Sequence, residues 1–172
     1  MSPTWRPDDS FADKEGRQLK GVTRVKDALK KNSVRGGRRI VTSRDQGQAE
    51  VRNDLKRTRA PKGFQQWQLP VALGPDQNIF FFRSIGAPGA VVPEHAHKVD
   101  LLRFVVSGSA SYKDKELTAG DWMFVPAGVA YGLTVGPNGI DVFHGYFPIK
   151  KGDDDDDEKR RPRRRSRKVA RP

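Results

Sequence analysis

VVPEHAHKVDLLRFVVSG, residues 91–108, is the stretch on which the reading of this chain turns. It holds His95 and His97, two of only three histidines, directly before a run rich in Leu, Val and Phe. Residues i and i+2 of a strand face the same side, about 6.6 Å apart, so the two imidazoles can be aimed at one ion inside a β-structure. The same geometry also suits two histidines that only hydrogen-bond within a core.

Working outward, the text from Phe64 to Ile149 breaks into short runs: QQWQLPVA, NIFFFRSI, GAVVP, LLRFVVSG, SASYK, DWMFVP, YGLTV and GIDVFHGYF. Gly and Pro turns separate them at the spacing of an antiparallel sandwich or barrel, and no helical period interrupts them. The expected fold is therefore all-β over residues 64–149. Before it, residues 1–63 read as a basic arm, extended with short helices. Val22, Val25 and Leu29 make one narrow apolar stripe that Asn32 and Gly36-Gly37 end. A second pattern starts at Ser43, with Gln46 as a capping-box partner, and carries Val51 and Leu55 as far as Pro61. Helices this short need a surface to dock on. After the β block, residues 150–172 form a low-complexity tail, with Asp153 to Glu158 followed by nine basic residues up to Arg171.

Charge follows the same division. Of the net charge of +12, residues 1–63 contribute 17 Lys/Arg against 8 Asp/Glu, residues 64–149 contribute 5 against 7, and residues 150–172 contribute 11 against 6. Any polyanion contact is thus expected from the ends, through Arg35, Arg38 and Arg39 and through Arg160, Arg161, Arg163, Arg164, Arg165, Arg167 and Lys168. Such contacts are salt-sensitive and carry no sequence preference. With no cysteine, disulfides and thiolate metal sites are excluded. The first twenty residues lack the apolar core of a secretory signal, and no run approaches a membrane span. The expected location is intracellular, or a virion if the gene belongs to a phage.

The middle block resembles the cupin superfamily of small double-sheet jelly rolls. Gly89, His95, His97, Leu101 and Gly108 stand at the spacing of the first cupin motif. Gly120, Pro126, Gly128 and Tyr131 stand at the spacing of the second. The resemblance implies a jelly-roll barrel, a homo-oligomer, and a divalent Fe, Mn, Zn or Ni held by three histidines and a glutamate. Here Leu101 occupies the glutamate position and Tyr131 the third histidine position, and a phenol is a weak ligand near neutrality. Asp100, one residue away, and His144, on the last strand in parity with Ile140, Val142 and Tyr146, are the candidates to replace them. Leu101, Arg103, Trp122, Tyr131 and Tyr146 are candidate pocket residues.

These observations lead to a non-catalytic cupin-like structural or binding module, anchored by its basic arms among the subunits of a large assembly such as a virion shell or a nucleoprotein particle. A metal-dependent cupin enzyme of dioxygenase, isomerase or lyase type, or a small-ligand binder using His95 and His97, is the alternative. A small-molecule sensor with a nucleic-acid-binding arm is a third.

Overall fold

The computed structural model describes residues 19–34, 40–71 and 79–147. Two helices, α1 (Leu19–Lys31) and α2 (Gln48–Asp54), precede seven strands: β1 (Phe64–Gln68), β2 (Phe80–Gly86), β3 (Val91–His95), β4 (Asp100–Tyr112), β5 (Lys115–Thr118), β6 (Trp122–Val125) and β7 (Tyr131–Phe147). All strand pairs are antiparallel.

Two pairs of runs expected to be separate strands are continuous. LLRFVVSG and SASYK merge into β4, and YGLTV and GIDVFHGYF merge into β7. Both long strands change register at the same level, between Val105 and Ala110 on β4 opposite Val135 to Val142 on β7. Gly108 and Gly139 adopt positive φ there (73° and 74°). The bend divides one hydrogen-bonded sheet into two halves. β2 and β6 pair with the stretches of β7 and β4 on one side of it, with β1 on the outer edge of β2, and β3 and β5 pair on the other. Sharing two bent strands lets a small sheet fold over itself and bury one face. This is the jelly-roll arrangement.

Two clusters fill the interior. Phe80, Phe82, Val92, Val99, Leu101, Val125, Tyr131, Leu133 and Tyr146 form the larger one, and Val105, Ala110, Val135, Ile140 and Val142 pack at the bend. The alternation on β4 is exact at its start. Leu101, Arg103 and Val105 point in, while Leu102, Phe104 and Val106 point out.

The helices make a third cluster of Val25, Ala28, Leu29, Val34, Val51 and Leu55. The Val25 and Leu29 stripe thus finds its docking surface on Val51 and Leu55. The pair is also tied to the sheet edge. Arg24 donates to the carbonyls of Asp54 (3.1 Å) and Lys56 (2.6 Å), the Gln68 amide donates to Gly21 O, and the Gln68 backbone N–H donates to Leu55 O. Gly21 lies against the Phe80 ring, where a side chain would not fit. The start expected for the second helix at Ser43 is not observed. Asp45 instead accepts from Thr42 in a turn, and α2 begins after Gly47, whose φ of 83° breaks the helix. A competing Asx-type turn therefore displaced the capping box.

Candidate functional site

His95 closes β3 opposite Tyr131 of β7, and His97 lies just beyond the strand in the turn to β4. The two imidazoles are therefore not strand neighbours with parallel side chains. The turn instead swings His97 so that its Nε2 lies 3.1 Å from Nε2 of His95. Gly128 N–H donates to the His97 carbonyl, so the second motif holds the first in place. The Nδ1 of His95 faces the Pro93 carbonyl at 2.7 Å. A carbonyl only accepts, so Nδ1 carries the hydrogen, and in a neutral ring Nε2 is left with its lone pair.

Tyr131 and Arg103 continue this row inward. The Tyr131 hydroxyl is 3.2 Å from Nε2 of His97 and accepts from Arg103 Nη2 at 2.7 Å. The guanidinium also lies 5.3 Å from the centre of the Tyr131 ring. His97, Tyr131 and Arg103 are all buried, while His95 is half-buried at the rim. Arg103 Nε has no hydrogen-bond partner, and no carboxylate among the described residues is paired with this cation. A buried unpaired charge costs several kcal/mol, so an Arg here marks a place where a negative charge is expected to arrive.

His144 also faces inward, behind the Tyr146 ring that packs against both it and His97. Its Nε2 is 3.0 Å from the Ser84 hydroxyl, and its Nδ1 has no partner. Burial, then the nearby Arg103, Arg57 and His97, hold its imidazole well below the ordinary histidine range. The folded protein therefore binds fewer protons here than the unfolded chain once the pH falls below about 6.5. Stability is accordingly present above that pH and drains away below it, by about 1.4 kcal/mol per pH unit from this group. Denaturant titrations between pH 6.5 and 5 are expected to show this slope, and His144→Leu is expected to flatten it.

Two candidate residues lie elsewhere. Asp100 points away from the interior and accepts from Ala127 N–H at 2.8 Å, so the register shift that would turn it inward does not occur. Its role is to tie the β6–β7 turn. Trp122 is on the outer face, exposed and paired with Phe104, and lines no interior pocket. Leu101 and Tyr146 are core residues beside the imidazoles. The arm candidates Arg35, Arg38 and Arg39, and Arg160 to Lys168, lie outside the described residues. Gln66, Gln68 and Ser84, which the sequence reading did not single out, add a buried polar strip on β1 and β2. Gln66 and Gln68 share one parity of β1 and stand opposite Ser84 and Phe82, a usable signal, since polar residues at core parity need partners.

Among the described residues the donor set is incomplete as a shell for a divalent metal. The Nε2 atoms of His95 and His97, 3.1 Å apart, are spaced for two cis positions on one ion. The third and fourth positions fail. Leu101 has no donor, Asp100 faces out, His144 has its Nε2 at Ser84 and the Tyr146 ring packed between it and His97, and the Tyr131 oxygen carries a guanidinium. Among the described residues no three His, Asp or Glu side chains converge.

No protein-family model and no curated relative matches the chain. Similar solved structures include an RmlC-like cupin from Shewanella frigidimarina, 27% identical over 52% of this chain and 79% of that one, with a TM-score of 0.42. KdgF from a Halomonas species is 23% identical, with 52% and 82% covered and a TM-score of 0.41. Bacillus subtilis oxalate decarboxylase, a protein with Mn(II) centres, is 18% identical, with 54% and 27% covered and a TM-score of 0.47.

Proposed function

With the β-structure taken as a cupin-type jelly roll, we propose that this chain is a non-catalytic binding module that takes a small organic anion at the Arg103–Tyr131–His97 row. The buried guanidinium, which has no carboxylate partner among the described residues, carries the reading. A carboxylate or phosphate oxygen at Arg103 Nε would complete the fork that Tyr131 leaves half used. The Tyr131 hydroxyl and the His97 imidazole offer hydrogen-bonding groups beside it, and His95 stands at the entrance.

The reading is tested by thermal shift and calorimetry with acetate, oxalate, malonate, succinate and phosphate, against a neutral sugar. At least one anion is expected to stabilise the fold by about 2–3 kcal/mol at a hundred times its dissociation constant. No stabilisation by any of them, or equal stabilisation by the sugar, would rule the site out.

Elemental analysis of protein purified without a histidine tag or chelator separates this from the metal-enzyme alternative. Iron, manganese, zinc and nickel are expected well below one equivalent. Near-stoichiometric metal that disappears in a His95→Ala, His97→Ala double variant would instead favour a metal-dependent cupin.

The concentration of positive charge in residues 1–63 and 150–172 supports a wider proposal, in which these segments anchor the module to polyanionic or acidic partners in an assembly. Such attachment is expected to weaken steeply with salt, whereas the buried anion site responds little.

A further inference from the structure

His144 of β7 and Arg103 of β4 stand directly opposite each other in the strand register, both on the inner face. Each carries a buried nitrogen with no hydrogen-bond partner among the described residues, Nδ1 of His144 and Nε of Arg103. The proposed anion site uses only the second. The state of the first follows from Ser84. Its hydroxyl lies 3.0 Å from His144 Nε2 and, among the described residues, has no other hydrogen-bond partner. Ser84 and His144 are each 1% exposed, so bulk water does not stand in for one. If Nε2 carried the imidazole hydrogen it would donate to the Ser84 oxygen, leaving both the serine hydrogen and the Nδ1 lone pair unsatisfied. With the hydroxyl donating to Nε2, a single group is left over, an Nδ1–H donor. Buried orphans are costly, so the second arrangement is the favoured one. Burial and the guanidinium across the strand keep the ring neutral, with one hydrogen to place.

We propose that His144 is a second ligand-holding residue of the site, its Nδ1–H and the Arg103 Nε–H gripping one carboxylate, and that this corner selects ligands whose oxygens carry no hydrogen. The proposal rests on the reading of Arg103 as an anion site and names the ligand class within it. Two donors on opposed residues match the two oxygens of a carboxylate, and Arg103 supplies the charge. Neither residue offers an acceptor there, because Nδ1 already holds its hydrogen and a guanidinium has no lone pair to give. The Tyr131 oxygen already accepts from Arg103. Monohydrogen phosphate would therefore bring in a hydrogen with no acceptor to meet it, and a buried unmade hydrogen bond weakens binding. The Phe82 and Tyr146 rings, with centres 5.6 and 5.5 Å from that of His144, hold the imidazole in this position.

Calorimetry on the full chain at about pH 8, where inorganic phosphate is mostly the monohydrogen dianion, tests this with acetate, sulfate and phosphate. Sulfate and monohydrogen phosphate share shape and charge and differ by one hydrogen. Sulfate is expected to bind at least about tenfold more tightly, and acetate likewise more tightly than phosphate. His144→Phe, which keeps a ring against Phe82 and Tyr146, is expected to weaken acetate at least about tenfold, with circular dichroism confirming that it folds. Imidazole nitrogen NMR of the parent protein needs no variant. It is expected to show the His144 hydrogen on Nδ1 and to show that resonance moving as acetate fills the site. Hydrogen on Nε2, phosphate bound as tightly as sulfate, or full acetate affinity in a folded His144→Phe overturns the role of His144 and leaves the Arg103 site standing. A parent protein that binds none of the three anions overturns the Arg103 reading and this one with it.

Discussion

Arg103→Met is expected to weaken binding of a small organic anion by at least about a hundredfold while leaving the protein as stable as the parent or more so. Loss of a buried charged partner costs a ligand about 2–5 kcal/mol. The stability side follows from opposing contributions. The variant loses one charged hydrogen bond to the Tyr131 hydroxyl, worth about 1.5–3 kcal/mol. It also removes the desolvation of a cation that no carboxylate among the described residues offsets, several kcal/mol in the other direction. Methionine fills the space left by the stem with an apolar chain. His144 offers an internal check. Arg103 is one cause of its depressed pKa, so the variant moves that imidazole back towards its ordinary range, while burial, the larger cause, keeps it low. Histidine NMR titration reads this directly, and calorimetry reads the anion. A variant that fails to fold would make Arg103 a structural residue, and one that binds anions as the parent does would place the site elsewhere.

The largest stability effect is expected at Gly108, the glycine that ends the first motif. A Cβ there would sit 2.0 Å from the Gly139 carbonyl oxygen and 2.8 Å from its carbon. Both are backbone atoms of β7 and cannot rotate away. The φ of 73° adds about 1–2 kcal/mol for any side chain. Relief requires β4 and β7 to separate at the bend, where both halves of the barrel are joined. Gly108→Ala is therefore expected to cost about 4 kcal/mol or more, a large part of the 5–15 kcal/mol that a domain has in total. Gly89, at the other end of the same motif, has a similar φ of 69° but nothing within 4 Å of its would-be Cβ. Gly89→Ala should cost only the backbone term, about 1–2 kcal/mol. Urea denaturation of the two variants side by side measures the difference, and equal costs would mean that the bend yields more easily than its packing implies.

The β-rich middle block was legible because its evidence is local. Alternation in Leu101 to Val106 and turn residues at regular intervals depend only on strand geometry, and the motif spacing of His95, His97, Gly108, Gly120 and Tyr131 depends only on counting. The apolar stripes of α1 and α2 were legible for the same reason, although α2 starts later than Ser43 because the Thr42–Asp45 turn competes for the same polar groups. Strand ends at Gly108 and Gly136–Gly139 were not. A glycine that ends a strand and one that bends it look alike in one dimension, and only pairing with a second strand, bent at the same level, separates them.

The chain's sequence by itself determined which residues alternate, where positive charge is concentrated, and that Leu101 and Tyr131 stand at two of the positions where the resemblance implies metal ligands. Tertiary structure alone decided that Arg103 turns inward with no counter-charge among the described residues, that Asp100 turns outward to hold a turn, and that Trp122 stands on the outer face. Direction along a strand is settled by the register against its neighbours. One residue of shift exchanges the inside of a barrel for its outside, and that information resides in pairs of strands rather than in either one.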